Sequence, residues 1–216
     1  MKISKFIFIL IAIILISTLI IYYFFTNNYN LEKIIADIKK NYDVSVILNE
    51  DPDWSFNNEV ALKFNAKIKD ENENFNSENM EFVFVQPYNI SPIKVDIGTK
   101  SLNFRGLKIQ LLKLNGKYSF LNKTFNLNNL TAKIGEGNIN LQGQLNQSKE
   151  NKFNLSGDFK NLYLNQIFRQ LNLTDWKRLE LKISSKDLSL NGKINKEKNL
   201  FNDLNGKIPI NGSMYF

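Results

Sequence analysis

The residues best placed by type and spacing to do chemistry are carboxylates. Asp70 to Glu81 reads DENENFNSENME, and Asp70, Asn72, Asn74 and Glu81 fall at positions 1, 3, 5 and 12 of a calcium-binding loop. The sixth position is Phe75, where such a loop needs Gly for its sharp turn. The stretch is therefore expected to be a solvated loop between strands, not a metal site. Asp51 and Asp53 flank Pro52 just before Trp54 and Phe56, but nothing sets two carboxyls across a cleft as glycoside hydrolysis requires. They read as a turn leading into a strand. Gly135 and Gly137 lie between two strand-like runs, and a phosphate cradle needs a helix after its glycines, so these read as a tight turn. No nucleophile elbow, phosphate-binding loop or dinucleotide fingerprint is present. The chain holds no Cys and no His, which removes thiol nucleophiles, imidazole bases, disulfides and the usual zinc ligands together. No catalytic, cofactor-binding or metal-binding residue is assigned, and a non-enzymatic role is expected.

With no reaction to position, the elements that stand out are those that meet lipid. Phe6 to Phe25 carries no charge, Gly or Pro, and only Ser17 and Thr18 are polar among apolar residues such as Ile11, Leu15 and Ile20. Twenty helical residues rise roughly 30 Å, the thickness of the hydrocarbon core. Tyr22 and Tyr23 suit the interface at one end. Lys2 and Lys5 hold the other end in the cytoplasm under the positive-inside rule. The run exceeds the ~7–15 apolar residues of a signal peptide and no A-x-A-like site follows, so it reads as a retained anchor. The expected organisation is residues 1–5 cytoplasmic, 6–25 transmembrane and 26–216 exported. Formal net charge is +7, and Lys2 and Lys5 account for two of these, leaving +5 beyond the anchor. The basic residues are spread thinly along the chain, which excludes the clustered footprint of a nucleic-acid binder and leaves a mild attraction to anionic headgroups.

Beyond the anchor, Leu31, Ile34, Ile35 and Ile38 form one apolar face of a short helix over 30–40, with Asn30 as N-cap, Glu32 in the first turn and Lys39 and Lys40 in the last. The period then changes to two. Val60, Leu62, Phe64, Ala66 and Ile68 alternate with mostly polar residues, as do Ile93, Val95 and Ile97, and Ile139 and Leu141. Short strands are expected at 44–48, 60–68, 82–85, 93–97, 102–104, 108–114, 117–120, 130–134, 139–145, 153–159, 179–183, 188–194 and 207–216. A second short helix is expected around Leu164, Ile167, Phe168 and Leu171. The fold class is mainly β: an antiparallel, elongated or curved sheet, groove-like or sandwich-like, whose apolar side must be covered by another sheet, a helix or an apolar ligand. The pattern Leu/Ile-Asn-Gly recurs at Leu114, Leu190, Leu204 and Ile210. Asn-Gly is the favoured two-residue hairpin turn, which makes turns the expected reading, with a strand glycine that permits a bend as the alternative.

The order of these parts resembles the AsmA family. The segment Val46-Ile-Leu-Asn-Glu-Asp-Pro-Asp-Trp-Ser-Phe, followed by the strand from Val60, is similar to the family's opening after its anchor. Phe125 to Leu145, FNLNNLTAKIGEGNINLQGQL, resembles its recurring L-x-x-L-x-A-x-x-x-x-G-x-L-x-L-x-G-x-L stretch, and Phe153–Leu173 and Leu188–Ile208 resemble its later steps. The family's usual Pro after the Trp54 region is missing, and its members are commonly much longer. The resemblance therefore implies a fragment or a reduced member. It also implies a single-pass protein of the bacterial inner membrane, with its bulk in the periplasm, tied to outer-membrane biogenesis through outer-membrane protein assembly or phospholipid transfer. The expected partners are membrane lipids, phospholipid among them, and an envelope protein meeting exposed strand edges. The candidate apolar face is Val60, Leu62, Phe64, Ile93, Val95, Ile97, Ile139 and Leu141. No cofactor and no nucleic acid is expected.

Overall fold

The computed structural model describes residues 31–42, 44–70, 75–87, 92–104, 106–147, 152–170, 180–193 and 205–215. The expected anchor residues, Phe6, Ile11, Leu15, Ile20 and Phe25, lie outside them. Among the described residues no helix is long and apolar enough to cross a membrane.

Helix α1 (Leu31–Tyr42) buries Leu31 and Ile38 on the stripe that its period predicts, and carries Glu32 and Lys39–Lys40 where the helix dipole favours them. It leads into a series of strands: β1 (Val44–Leu48), β2 (Asp53–Phe56), β3 (Glu59–Asp70), β4 (Phe75–Pro87), β5 (Ile93–Phe104), β6 (Leu107–Ser119), β7 (Thr124–Ile134), β8 (Gly137–Asn146) and β9 (Lys152–Tyr163). A seven-residue helix, α2 (Leu164–Gln170), precedes β10 (Glu180–Lys193), β11 (Asn205–Lys207) and β12 (Asn211–Tyr215). All pairings are antiparallel and build one sheet in the order β1-β3-β4-β5-β6-β7-β8-β9-β10-β11, with β2 also on β3 and β12 also on β10. The chain is thus a meander of consecutive strands. Each edge of the sheet is made of two short strands set end to end.

Several expected strands fuse. In β5, Ile93, Val95, Ile97 and Thr99 are buried, but the buried phase then shifts to Leu102 and Phe104. β6 shifts from Leu107 and Ile109 to Leu112 and Leu114 across Leu111, which has a left-handed φ of 50°. β7 shifts across Asn128–Asn129 and β10 across Lys186–Asp187. A bulge adds one residue to one strand of a pair, so strict alternation breaks while pairing continues. The expected breaks at 98–101, 115–116 and 184–187 all lie inside single strands: the last is a bulge in β10, whereas β6 alternates without interruption through Asn115–Gly116. The expected loop at Asp70–Glu81 is also corrected. From Phe75 onward it is β4, with Phe75, Ser77 and Met80 turned inward and a phase shift at Glu78–Asn79. The strand that the turn at Asp51–Asp53 is expected to lead into is β2, which begins at Asp53 itself.

The Asn-Gly pairs are not hairpin turns. Those at 115–116 and 191–192 lie within β6 and β10, and those at 205–206 and 211–212 lie in β11 and β12. At Gly116 the ring of Phe125 from β7 occupies the space a side chain would take. A tight turn forms instead at Gly135–Glu136, between β7 and β8. Gly135 has φ of 58°, so the first central residue carries the positive φ of a type II′ turn. The β5–β6 connection is braced by Gly106 N–H donating to Asn103 Oδ1 at 3.0 Å.

Candidate functional site

The two faces of the sheet differ sharply. The inner face is one apolar cluster running from Val46 in β1 to Leu190 in β10, joined by Leu31 and Ile38 of α1. Of the candidate apolar residues, Leu62, Phe64, Ile93, Val95, Ile97, Ile139 and Leu141 lie within it and are buried, whereas Val60, near the start of β3, is half-buried. Phe64 stacks on Phe82 at 4.9 Å between ring centroids, and Phe84 continues the group at 6.3 Å from Phe82. Leu164 and Ile167 of α2 pack against the same cluster. Gln170 Oε1 accepts from Lys108 N–H at 2.9 Å, which ties the end of α2 to the start of β6. The helix therefore closes the end of the sheet where β5 meets β6 and β7 meets β8.

The inner face leaves little room for side chains on every strand. A Cβ at Gly157 of β9 would fall within 3.0 Å of the β8 backbone, and one at Gly143 of β8 would do the same against β9. Each of these glycines faces a leucine across the pair, Gly157 opposite Leu141 and Gly143 opposite Leu155. A glycine opposite each leucine lets the two backbones approach closely there. Burial there is nearly complete, with Ile93, Val95, Met80 and Phe125 showing 0 % exposure. The face is filled in this structure. Its polar content is small: Ser77 and Thr99 hydroxyls meet at 3.0 Å and also reach Ser101 and Asn79 carbonyls, whereas the buried Ser185 hydroxyl has no partner among the described residues.

The outer face is polar and laced by cross-strand pairs. Lys63 meets Glu81 at 2.8 Å, Lys67 meets Glu78 at 2.6 Å, and Asn115 links Asp96 of β5 to Asn128 of β7. The hydrogen bond from Lys67 holds the Glu78 carboxyl below the usual carboxylate range, and the bond to Glu81 raises the Lys63 ammonium. A shallow depression opens where Gly98 lacks a side chain, lined by Glu81, Asp96, Lys113, Asn115 and Thr131. The carboxylates singled out in the sequence are dispersed. Asp70 Oδ1 accepts from Phe75 N–H at 2.8 Å across the β3–β4 connection, and Glu81 belongs to the pair with Lys63. Asn72 and Asn74 lie outside the described residues. Asp51 and Asp53 are exposed at the start of β2. Among the described residues no group of three or more acidic or metal-ligating side chains is arranged to hold a metal ion.

No protein-family model, no curated protein and no solved structure matches this chain.

Proposed function

We propose that the chain is a non-enzymatic, membrane-anchored protein of the bacterial envelope, held by Phe6–Phe25 in the inner membrane with its sheet in the periplasm, and that it accommodates phospholipid acyl chains along the inner apolar face. One observation carries the reading: a single apolar face continues through every long strand from β3 to β10, while the outer face stays polar. Such a face receives acyl chains by the same transfer that buries its own side chains, roughly 0.8 kcal/mol per CH₂. Because the face is filled at rest, lipid entry exchanges contacts within the sheet for contacts with lipid, and the net gain is smaller than the full transfer. The resemblance of Phe125–Leu145 to the AsmA family, a stretch that forms β7, its turn and β8, supports a role in outer-membrane biogenesis. Native mass spectrometry of the detergent-extracted protein is expected to show bound phospholipid. A lipid-free species that also captures no lipid in membranes contradicts the proposal.

A second reading is an interaction module that pairs through its strand edges. It draws on the unpaired outer sides of β1, β2, β11 and β12 among the described residues, and on Ile47 and Phe56, 50 % and 62 % exposed along one edge. A stable envelope-protein partner, lost when Ile47 and Phe56 are changed to Asp, separates this reading from the first.

A further inference from the structure

Lysines that are far apart in the chain are gathered by the strand register at one end of the sheet, opposite the end closed by α2. Lys94 of β5 lies directly across from Lys117 of β6, and Lys152 of β9 directly across from Lys193 of β10. Between the two pairs, at the same end, the β6–β7 turn holds Lys123 and presents Leu121, which is 80 % exposed. The turn is firmly braced. Lys123 N–H donates to the Phe120 carbonyl, Gln147 N–H donates to the Lys123 carbonyl at 2.8 Å, and Phe120 packs edge-on against the buried Tyr118 at 5.0 Å. A single exposed leucine is ordinary on a protein surface. One fixed at the apex of a braced turn, with Lys117 and Lys123 on the same hairpin, matches the composition of an interfacial contact. Residues 115–133, 137–147, 152–157 and 188–193 contain no acidic side chain. Neither Lys117 nor Lys123 has an acidic partner among the described residues, and Lys94 approaches Glu59 only at 3.9 Å. Asp96 shares the outer face of β5 with Lys94 and lies opposite Asn115, and Glu150 precedes Lys152 by two residues in the sequence, whereas Asp53 and Glu59 lie toward β2 and β3, away from the turn.

We infer that the β5–β7 side of this end is a docking surface for an anionic bilayer, with Leu121 entering the headgroup region and Lys94, Lys117 and Lys123 meeting the lipid charge. The inference is independent of what the inner face binds. A peripheral contact of this kind depends on headgroup charge, whereas acyl binding along the sheet does not.

The chain has no cysteine, so Leu121→Cys provides a unique site for an environment-sensitive nitrobenzoxadiazole label, and Lys160→Cys provides the same at the opposite end. Full-length labelled protein, held in a zwitterionic nanodisc, is mixed with phosphatidylcholine vesicles with or without about one third phosphatidylglycerol. The expected result is a blue-shifted, several-fold brighter signal at position 121 with anionic vesicles only, and no change at position 160. Each lysine at the surface is worth about fivefold in partitioning, so Lys117→Gln with Lys123→Gln weakens the response by about 30-fold. Both positions are exposed, so the fold is not at stake. Equal responses at 121 and 160, equal responses to both vesicle types, an unchanged response in the double variant or no response at 121 overturns the inference. Phospholipid retained in native mass spectra despite any of those outcomes would leave the acyl-binding proposal standing.

Discussion

Changing Gly157 to Ala tests the close approach of β8 and β9. An alanine Cβ there would lie less than 3.0 Å from the Asn140 carbonyl oxygen and 3.0 Å from Leu141 Cα, both backbone atoms of the neighbouring strand. A flexible side chain could swing aside, but the β8 backbone yields only by parting from β9. Overpacking of this kind costs about 1–3 kcal/mol. Gly98 is the internal control. Its added Cβ would meet nothing nearer than the Leu112 carbonyl at 3.7 Å, an ordinary contact. There the usual benefit of Ala over Gly within a strand, about 0.5–1 kcal/mol, applies without opposition. The two substitutions are chemically identical yet should differ in sign, separated by about 3 kcal/mol. At about 2–4 °C per kcal/mol for a domain of this size, Gly98→Ala is expected to melt about 6–12 °C above Gly157→Ala. Thermal unfolding of the full chain in mild detergent, followed by far-ultraviolet circular dichroism, measures the difference. Equal midpoints, or a Gly157→Ala variant more stable than the parent, would refute the argument that these glycines let β8 and β9 approach closely.

Other outcomes follow from single groups. Leu111→Asn should stabilise by about 0.5–1 kcal/mol in urea unfolding, because a left-handed φ of 50° strains Leu and suits Asn, and the side chain is more than half exposed. Ser185→Ala should be neutral or stabilising by about 1 kcal/mol, because the buried hydroxyl has no hydrogen-bond partner to lose. A loss above that size would reveal a partner for it. Phe64→Ala should cost about 3–5 kcal/mol in the same assay, since the ring is buried and stacked on Phe82. The lowered Glu78 carboxyl contributes stability that is present above its ordinary value of 4.5 and is lost as pH falls through the lower folded value. Glu78→Gln should therefore flatten the acid limb of the stability profile slightly and leave the neutral and alkaline limbs in shape, as a set of melting curves across pH would show.

Much of the fold was legible where a single physical rule acted alone. The helix at 31–42 followed from one apolar stripe, and the inward positions of β3 and early β5 followed from alternation, because Leu62–Ile68 and Ile93–Ile97 contain no bulge. The rest was hidden by local exceptions to the same rule. Bulges moved Leu112 and Leu188 onto the opposite parity, and the buried phase of β5 shifts before Leu102 in step with its neighbours, so continuous strands read as separate ones. Asn115-Gly116 has the composition of a turn, but a glycine in a curved strand serves equally well when a neighbour such as Phe125 fills its place, and no local signal distinguishes the two. The start of β4 was masked by its acidic and Asn-rich outer residues, with only Phe75, Ser77 and Met80 turned inward across a phase shift. The basic end of the sheet was invisible for a different reason. Its lysines are separated by up to a hundred residues and become neighbours only through register.

The most direct test of lipid binding uses the period of β5. A photo-crosslinking amino acid is placed in turn at Ile93, Lys94, Val95, Asp96 and Ile97 of the full-length chain, and the membranes are irradiated. The proposal predicts phospholipid adducts at Ile93, Val95 and Ile97, which face inward, and little at Lys94 and Asp96, which face out. Adducts spread evenly over the five positions, or confined to Lys94 and Asp96, would contradict it.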